Sequence, residues 1–267
     1  MLHLLRLLIL HWRLSFRIMA QYPLNLFVWM LFGFLYHAAS VAILWAMLQR
    51  FPALVGWTFA EMFFLYSLWN LAHGLYSLTL GKVTALPRLI REGLFDRFLI
   101  RPVGPLFQLI TLPEGITIDD LLVGIGLFAV AQAQAGFHWS TRTVLWLVAI
   151  LAGAALIKGG LLLALSTLSF WAVRTDAARM LLETVELEFV RFPLTIFPRA
   201  AQWILTFVVP LAFVAFLPAQ LLLEKDAGSA LLRPQLGMLT PAVGLVTFAA
   251  AYLFWRLGLL MYQGTGS

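Results

Sequence analysis

Long apolar runs separated by short polar breaks organise the chain. Tyr22 to Leu48, Gly56 to Leu80, Ile118 to Gly136, Thr143 to Val173 and Leu239 to Met261 each offer about 20 residues of predominantly apolar character, enough for a helix to cross a bilayer. The breaks at 49–52 and 137–142 are short, and the one at 81–111 is long and charged. Met1 to Gln21 has a different pattern. At ~100° per residue, His3, Arg6, Arg13 and Arg17 fall within an arc of about 80°, opposite a broad Leu, Ile, Trp and Phe surface. This predicts an amphipathic helix lying flat on the membrane. A signal peptide is the competing reading, but Arg13 and Arg17 interrupt the apolar run and no small-residue cleavage pattern follows before Pro23.

Beyond Arg174 the pattern divides. Asp176 to Arg191 is polar and amphipathic, and Phe192 to Leu223 is strongly apolar but punctuated by Pro193, Pro198, Pro210 and Pro218. Hydropathy places a fifth span in 192–223 and lays Glu183, Glu186 and Glu188 on an interfacial helix. The pattern as a whole predicts an all-α polytopic membrane protein of six spans, one transmembrane domain over 1–267, with 1–21 as an interfacial helix.

Composition agrees. The chain is 62% hydrophobic and 11% charged, well above the roughly 45–50% apolar content of soluble domains. The net charge of +6 sits beside apolar runs, so anionic lipid headgroups, and not nucleic acid, are the expected partners. The absence of cysteine excludes disulfides, cysteine-ligated zinc and thiol chemistry. Arg6, Arg13, Arg17, the cations of 81–111, Arg174, Arg179 and Arg256 fall on one side of the membrane, against Arg50, Arg142, Lys225 and Arg233 on the other. Lys and Arg are retained on the cytoplasmic side, which predicts both termini in the cytosol of a cell-membrane protein.

Polar groups within the spans are few: Glu61, Asn70 and His73 in the second and Lys158 in the fourth. Such groups are costly unless they face protein or a wet cavity, so Asn70, His73 and Lys158 are candidates for lining a pathway, with interhelical hydrogen bonding as the plainer alternative. Glu61, near the outer end, is placed to snorkel outward. Ala155 with Gly159, and Gly160 with Ala164, permit close helix approach.

The stretch 81–111, GKVTALPRLIREGLFDRFLIRPVGPLFQLIT, sets Lys82, Arg88, Arg91, Arg97 and Arg101 against Glu92 and Asp96. Its apolar residues recur at spacings of three and four, and Pro87, Gly93, Pro102, Gly104 and Pro105 break it into short helices. Within it, GLFDRFLIRPVGPLFQLI resembles the segment after the second span in six-span permeases of type-2 ABC transporters, which carry a Gly-Leu-x-Asp…Leu-x-Arg-Pro…Pro-Leu-x-Gln-Leu pattern. Gly93, Leu94, Asp96, Leu99, Arg101, Pro102, Pro105, Leu106, Gln108 and Leu109 occupy those places.

The resemblance implies that 81–111 couples to a separate ATP-hydrolysing subunit, with the N-terminal helix touching it as well. On that basis Arg6, Arg13, Arg88, Arg91, Gly93, Asp96, Arg97, Arg101 and Pro102 are the expected coupling residues. It also implies an exporter assembled from two permeases, either two copies or this chain and a related one, with ATP and magnesium on the partner and no cofactor here. For the ambiguous stretch it offers a second layout: a span at about 177–197, then a re-entrant helical pair broken near Pro210. Three glutamates in a span favour the hydropathy layout, whereas FPLTIFP and VVPLAFVAFLPAQLLL are similar to the family's segments and favour the re-entrant one, which is preferred.

Motifs for autonomous chemistry are missing. Gly153 to Gly160 reads GAALIKGG, without the Gly-Lys-Ser/Thr order that cradles phosphates, so ATP must be hydrolysed elsewhere. The five histidines form no pair with carboxylates at metal-ligand spacing. Ser77 and His73 share a helical face but lack the Gly-x-Ser-x-Gly elbow of a hydrolase. A membrane-embedded enzyme would need Glu61, Asn70, His73 and Lys158 to converge in one cavity. A secondary transporter would show repeated halves, and none is visible.

Overall fold

The computed structural model of the chain describes residues 10, 13–15, 17, 20–21, 23–50, 53–112, 118–172, 175–190, 192–226 and 231–262. Arg6, one of the expected coupling residues, lies outside them, as do Pro113, Glu114, Arg174, Arg191 and the tail from 263. The described positions between 10 and 21 are helical, with Arg13 and Arg17 exposed.

Among the described residues the fold is built from helices alone. In chain order these are α1 (Pro23–Arg50), α2 (Phe59–Thr79), α3 (Leu86–Arg91), α4 (Asp96–Leu99), α5 (Pro105–Ile110), α6 (Asp119–Gln134), α7 (Thr141–Thr167), α8 (Asp176–Val190), α9 (Arg199–Trp203), α10 (Phe216–Leu222) and α11 (Thr240–Met261). Among the described residues three stretches are long and apolar enough to cross a membrane, α1, Thr141–Phe170 and Pro234–Met261, or four if the bent pair Arg199–Val208 and Leu211–Leu222 is one span. The expected second span forms α2, whose 21 residues include Ser, Asn, His, Trp and Tyr side chains that dilute its hydropathy. The expected third forms α6, whose 16 residues rise about 24 Å, short of a hydrocarbon core of about 30 Å.

The centre of the molecule is α2, buried along most of its length. It starts from a capping box in which the Thr58 hydroxyl accepts from the Glu61 amide and the Glu61 carboxylate accepts from the Thr58 amide. Glu61 is also paired: Lys225, from the loop after α10, lies 2.6 Å from its carboxylate and 5.3 Å above the Trp57 ring. Glu61, expected to snorkel from the end of its span, is held there by this ion pair at 21% exposure. Along α7, Gly153 faces the backbone of Thr240 and Pro241, where an added Cβ would sit 2.6 Å from the Thr240 carbonyl oxygen, and Gly160 faces the backbone of Phe248. Small residues therefore let α7 and α11 touch along their length. Gly160 was expected in such a role. Gly153 was not.

The ambiguous stretch follows neither sequence layout in full. Residues 176–190 form α8, shorter than the expected 177–197 span, and α9 runs into a π-turn at 204–208. The chain then bends by 79° across Pro210 before Leu211–Leu222, which excludes one straight span over 192–223. Every residue from Leu211 to Gln220 is buried. That burial is the condition under which non-helical backbone is tolerated at membrane depth.

Candidate functional site

The charged stretch 81–111 folds into a 3₁₀ turn (Gly81–Ala85) followed by α3, α4 and α5. Its apolar side is sunk into the bundle. Val83, Leu86 and Leu109 are fully buried, and they pack with Tyr76, Leu162, Leu163 and Trp255 from α2, α7 and α11. Phe95 is also fully buried, with its ring against those of Phe98, Phe170, Trp255 and Tyr262. Gly93 takes φ +66° between α3 and α4, a conformation that an L side chain adopts only under strain, which accounts for glycine at that motif position. Pro105 opens α5. The Gln108 amide donates to the carbonyls of Phe98 and Val103 at 2.8 and 2.6 Å, fixing the bend between α4 and α5.

What this frame presents to solvent is a short tip. Arg97, Leu99, Ile100, Arg101 and Pro102 are exposed, Ile100 to 84%. Others of the expected coupling residues are engaged within the chain, Arg91 among them although it is exposed. Arg91 bonds Asp176 at the start of α8 at 2.9 Å, Asp96 accepts from the Tyr262 hydroxyl at 2.8 Å, and Arg88 lies 3.5 Å from Glu92.

Behind this segment lies a buried polar cluster that joins four helices. Lys158 on α7 and Glu186 on α8 form an ion pair of 2.8 Å at 4% and 2% exposure. The second Glu186 oxygen accepts from the Trp69 indole at 2.8 Å, so both oxygens of a dehydrated carboxylate are satisfied. Lys158 is also 2.7 Å from His73 Nδ1, and its ammonium sits 5.0 Å over the Trp69 ring and 5.5 Å over Tyr76. An ammonium can only donate, so Nδ1 accepts and the ring proton lies on Nε2. That proton faces Asp120 on α6, 3.5 Å away, which also accepts from the Ser77 hydroxyl at 3.0 Å. A separate bond of 2.8 Å joins His37 on α1 to the Tyr66 hydroxyl.

Of the three pathway candidates, the structure brings His73 and Lys158 together. Asn70 is buried, but its amide donates to the Tyr66 carbonyl of its own helix, and its backbone abuts Gly124 of α6. Glu61 lies in the first turn of α2 with Lys225. The four groups needed for an embedded enzyme therefore do not converge. Ser77 and His73 are both directed at Asp120, which places a carboxylate between them instead of pairing hydroxyl with imidazole. Among the described residues, no group of three or more His, Cys, Asp or Glu side chains is placed to hold a metal.

Glu186 was not among the candidates from sequence: the hydropathy layout set it with Glu183 and Glu188 on an interfacial helix, and the preferred re-entrant layout set all three in a span. A signal was present: Leu182, Glu186 and Phe189 recur at i, i+4 and i+7, putting a carboxylate on the apolar face of α8, while Lys158 needed a counter-ion.

No curated protein and no solved structure matches the chain. The profile of a family described as "ABC-2 family transporter protein" matches residues 34–266, which span 81–111, the polar cluster and the bent pair. With helices apolar enough to cross a membrane and a match over most of its length, the chain belongs to the ABC-2 family of transporter proteins, the membrane permeases of ABC transporters.

Proposed function

We propose that this permease is one half of an exporter, paired with a second copy or a related permease, and driven by a separate ATPase that docks on the tip of 81–111. One observation carries the reading: Leu99, Ile100 and Arg101 stand exposed on a short bent element whose opposite side is locked into the inner ends of α2, α7 and α11. Such an element transmits a push instead of absorbing it, because packed interiors yield little to strain. The exposed apolar residues flanked by arginines suit a protein partner, and Arg13 and Arg17 on the N-terminal helix supply a second contact.

The path of the push can be named. Arg91 ties the segment to Asp176 at the start of α8, and Glu186, ten residues and about 15 Å further along the same helix, ties α8 to Lys158 and, through Trp69 and His73, to α2. From α8 the chain runs into the pair bent at Pro210, which we take as re-entrant from the outer face. In this reading α2 and α6 complete six spans, both termini are cytosolic, and ATP and magnesium stay with the partner.

The test is co-purification from the native membrane. Wild-type chain is expected to bring down an ATP-hydrolysing subunit, and Arg101→Glu to release it while the permease still inserts. A permease that transports without any such subunit overturns the proposal.

A further inference from the structure

His73 belongs both to the buried cluster and to the wall of an open space. It lines a polar chamber of about 390 Å³ together with Tyr76 and Ser77 of α2, Lys82 and Arg88 of the charged segment, and Glu183 of α8. At ~30 Å³ each, several waters fit there. The His73 side chain is 32% exposed, whereas Lys158 and Glu186 beside it are 4% and 2% exposed. A proton from the chamber therefore reaches the imidazole without crossing the dry interior.

The ring has one vacant place for that proton. Nε2 already carries a hydrogen toward Asp120, and Nδ1 accepts from the Lys158 ammonium at 2.7 Å. A second proton, taken up at Nδ1, removes the acceptor and sets two cations face to face. The surrounding charges decide where the imidazolium turns. Glu186 is engaged by Lys158 and the Trp69 indole, and Glu183 by Arg179 at 3.1 Å. Lys82 and Arg88 bring positive charge, and so does His37 of α1 when it is protonated. Asp120 accepts from the neutral Ser77 hydroxyl, its ion-pairing neighbour is His73 itself, and Asp119 adds negative charge on the same side. An imidazolium at position 73 therefore pairs with Asp120.

The consequence falls on α8. Among its described side chains Glu186 alone is buried, so the groups that hold this carboxylate are its deepest attachment to the bundle. Lys158 is pinned between acceptors on two helices, His73 and Glu186. With the first lost, ammonium and carboxylate move as a pair, and from this cluster the neutral indole of Trp69 is left to join α2 to α8. Glu186 also borders an enclosed cavity of about 20 Å³ whose wall includes Leu211, Ala212 and Ala215, so its displacement reaches the bent pair. We propose that His73 is a proton-binding site whose occupation turns the ring from Lys158 to Asp120 and loosens α8 from α2. The site stands on the geometry of the cluster. Its effect in the assembly, ATP turnover that no longer moves α2 as the chamber acidifies, rests on the exporter reading.

The experiment uses the full permease alone in lipid nanodiscs, so its failure leaves the exporter reading standing and failure of co-purification leaves this proposal standing. Trp69 reports the proton, because an imidazolium quenches a neighbouring indole and the two ring centroids lie 5.1 Å apart. Tryptophan emission is followed from about pH 8 to about pH 5, the range in which histidine ordinarily changes charge. Wild type is expected to lose emission in a step that His73→Gln abolishes, since the glutamine oxygen still accepts from Lys158 but takes no proton. Asp120→Asn is expected to move that step to lower pH by about one unit or more, because the carboxylate facing the imidazolium is gone. A nitroxide on Thr184→Cys, at an exposed position of α8 in a chain without other cysteines, reports the loosening. Its spectrum is expected to become more mobile below the step, and to stay unchanged when His73→Gln is added. A step that is absent from wild type or survives in His73→Gln, a step that Asp120→Asn leaves in place, or label mobility independent of pH each overturns the proposal.

Discussion

Lys158 and Glu186 meet at 4% and 2% exposure, whereas Arg88 and Glu92 meet at 43% and 47%. The same residue types thus do different work in two parts of one chain. In the core, each charge has lost its water and depends on a specific neighbour, so geometry is fixed and loss of one partner strands the other. In the charged segment 81–111, water screens each pair, and shape is held by apolar residues such as Phe95 and by the Gln108 amide. The lesson is that the core charges hold helices in register, while the surface charges are free to change partners. A docking surface requires the second property, and a transmission element requires the first.

The largest effect tests the core side of this contrast. Lys158→Leu should cost about 3–5 kcal/mol of stability, read as thermal unfolding of the solubilised permease, because Glu186 then stays buried without its counter-ion. Replacing both Lys158 and Glu186 by Leu should restore most of that loss. A single variant as stable as wild type would show that the pair does not lock α7 to α8. Next comes Phe95→Ala, expected to cost about 3 kcal/mol through the cavity left among Phe98, Phe170, Trp255 and Tyr262. A loss confined to ATPase binding, with no change in melting, would place the support of the segment elsewhere. The smallest effect is Arg91→Ala, worth less than about 1 kcal/mol since its bond to Asp176 is half exposed. Its consequence should appear as ATPase turnover without transport, and coupled transport at the wild-type ratio would remove Asp176 from the path.

Local signals made part of this legible. The cations between apolar runs marked 81–111, Gly93 and Pro105 marked its corners, and the prolines of 192–223 marked a broken stretch whose bend falls at Pro210. Lys158 announced its need for a partner, and His73 at similar depth proved to be one of them. Pairings between distant parts of the chain were not legible. Lys225 reaches Glu61 across 164 positions, Tyr262 reaches Asp96 across 166, and Trp69 reaches Glu186 across 117. The spacing of Leu182, Glu186 and Phe189 marks which acid turns inward, but its partner Lys158 is fixed only when α8 is set against α7. Three of the six expected spans stand out by length and composition, whereas α6 stops after 16 residues and α2 spends apolar positions on the side chains that build the cluster.

The chain has no cysteine, so a single introduced thiol reports one place without background. Ile100→Cys puts that thiol at the exposed tip, and a membrane-impermeant maleimide applied to intact cells and to inside-out vesicles measures which side it faces. Labelling only in inside-out vesicles, and its suppression when the ATPase subunit is bound, is the result the account predicts. Labelling of the tip in intact cells, or labelling from inside that the bound ATPase leaves unchanged, would contradict it.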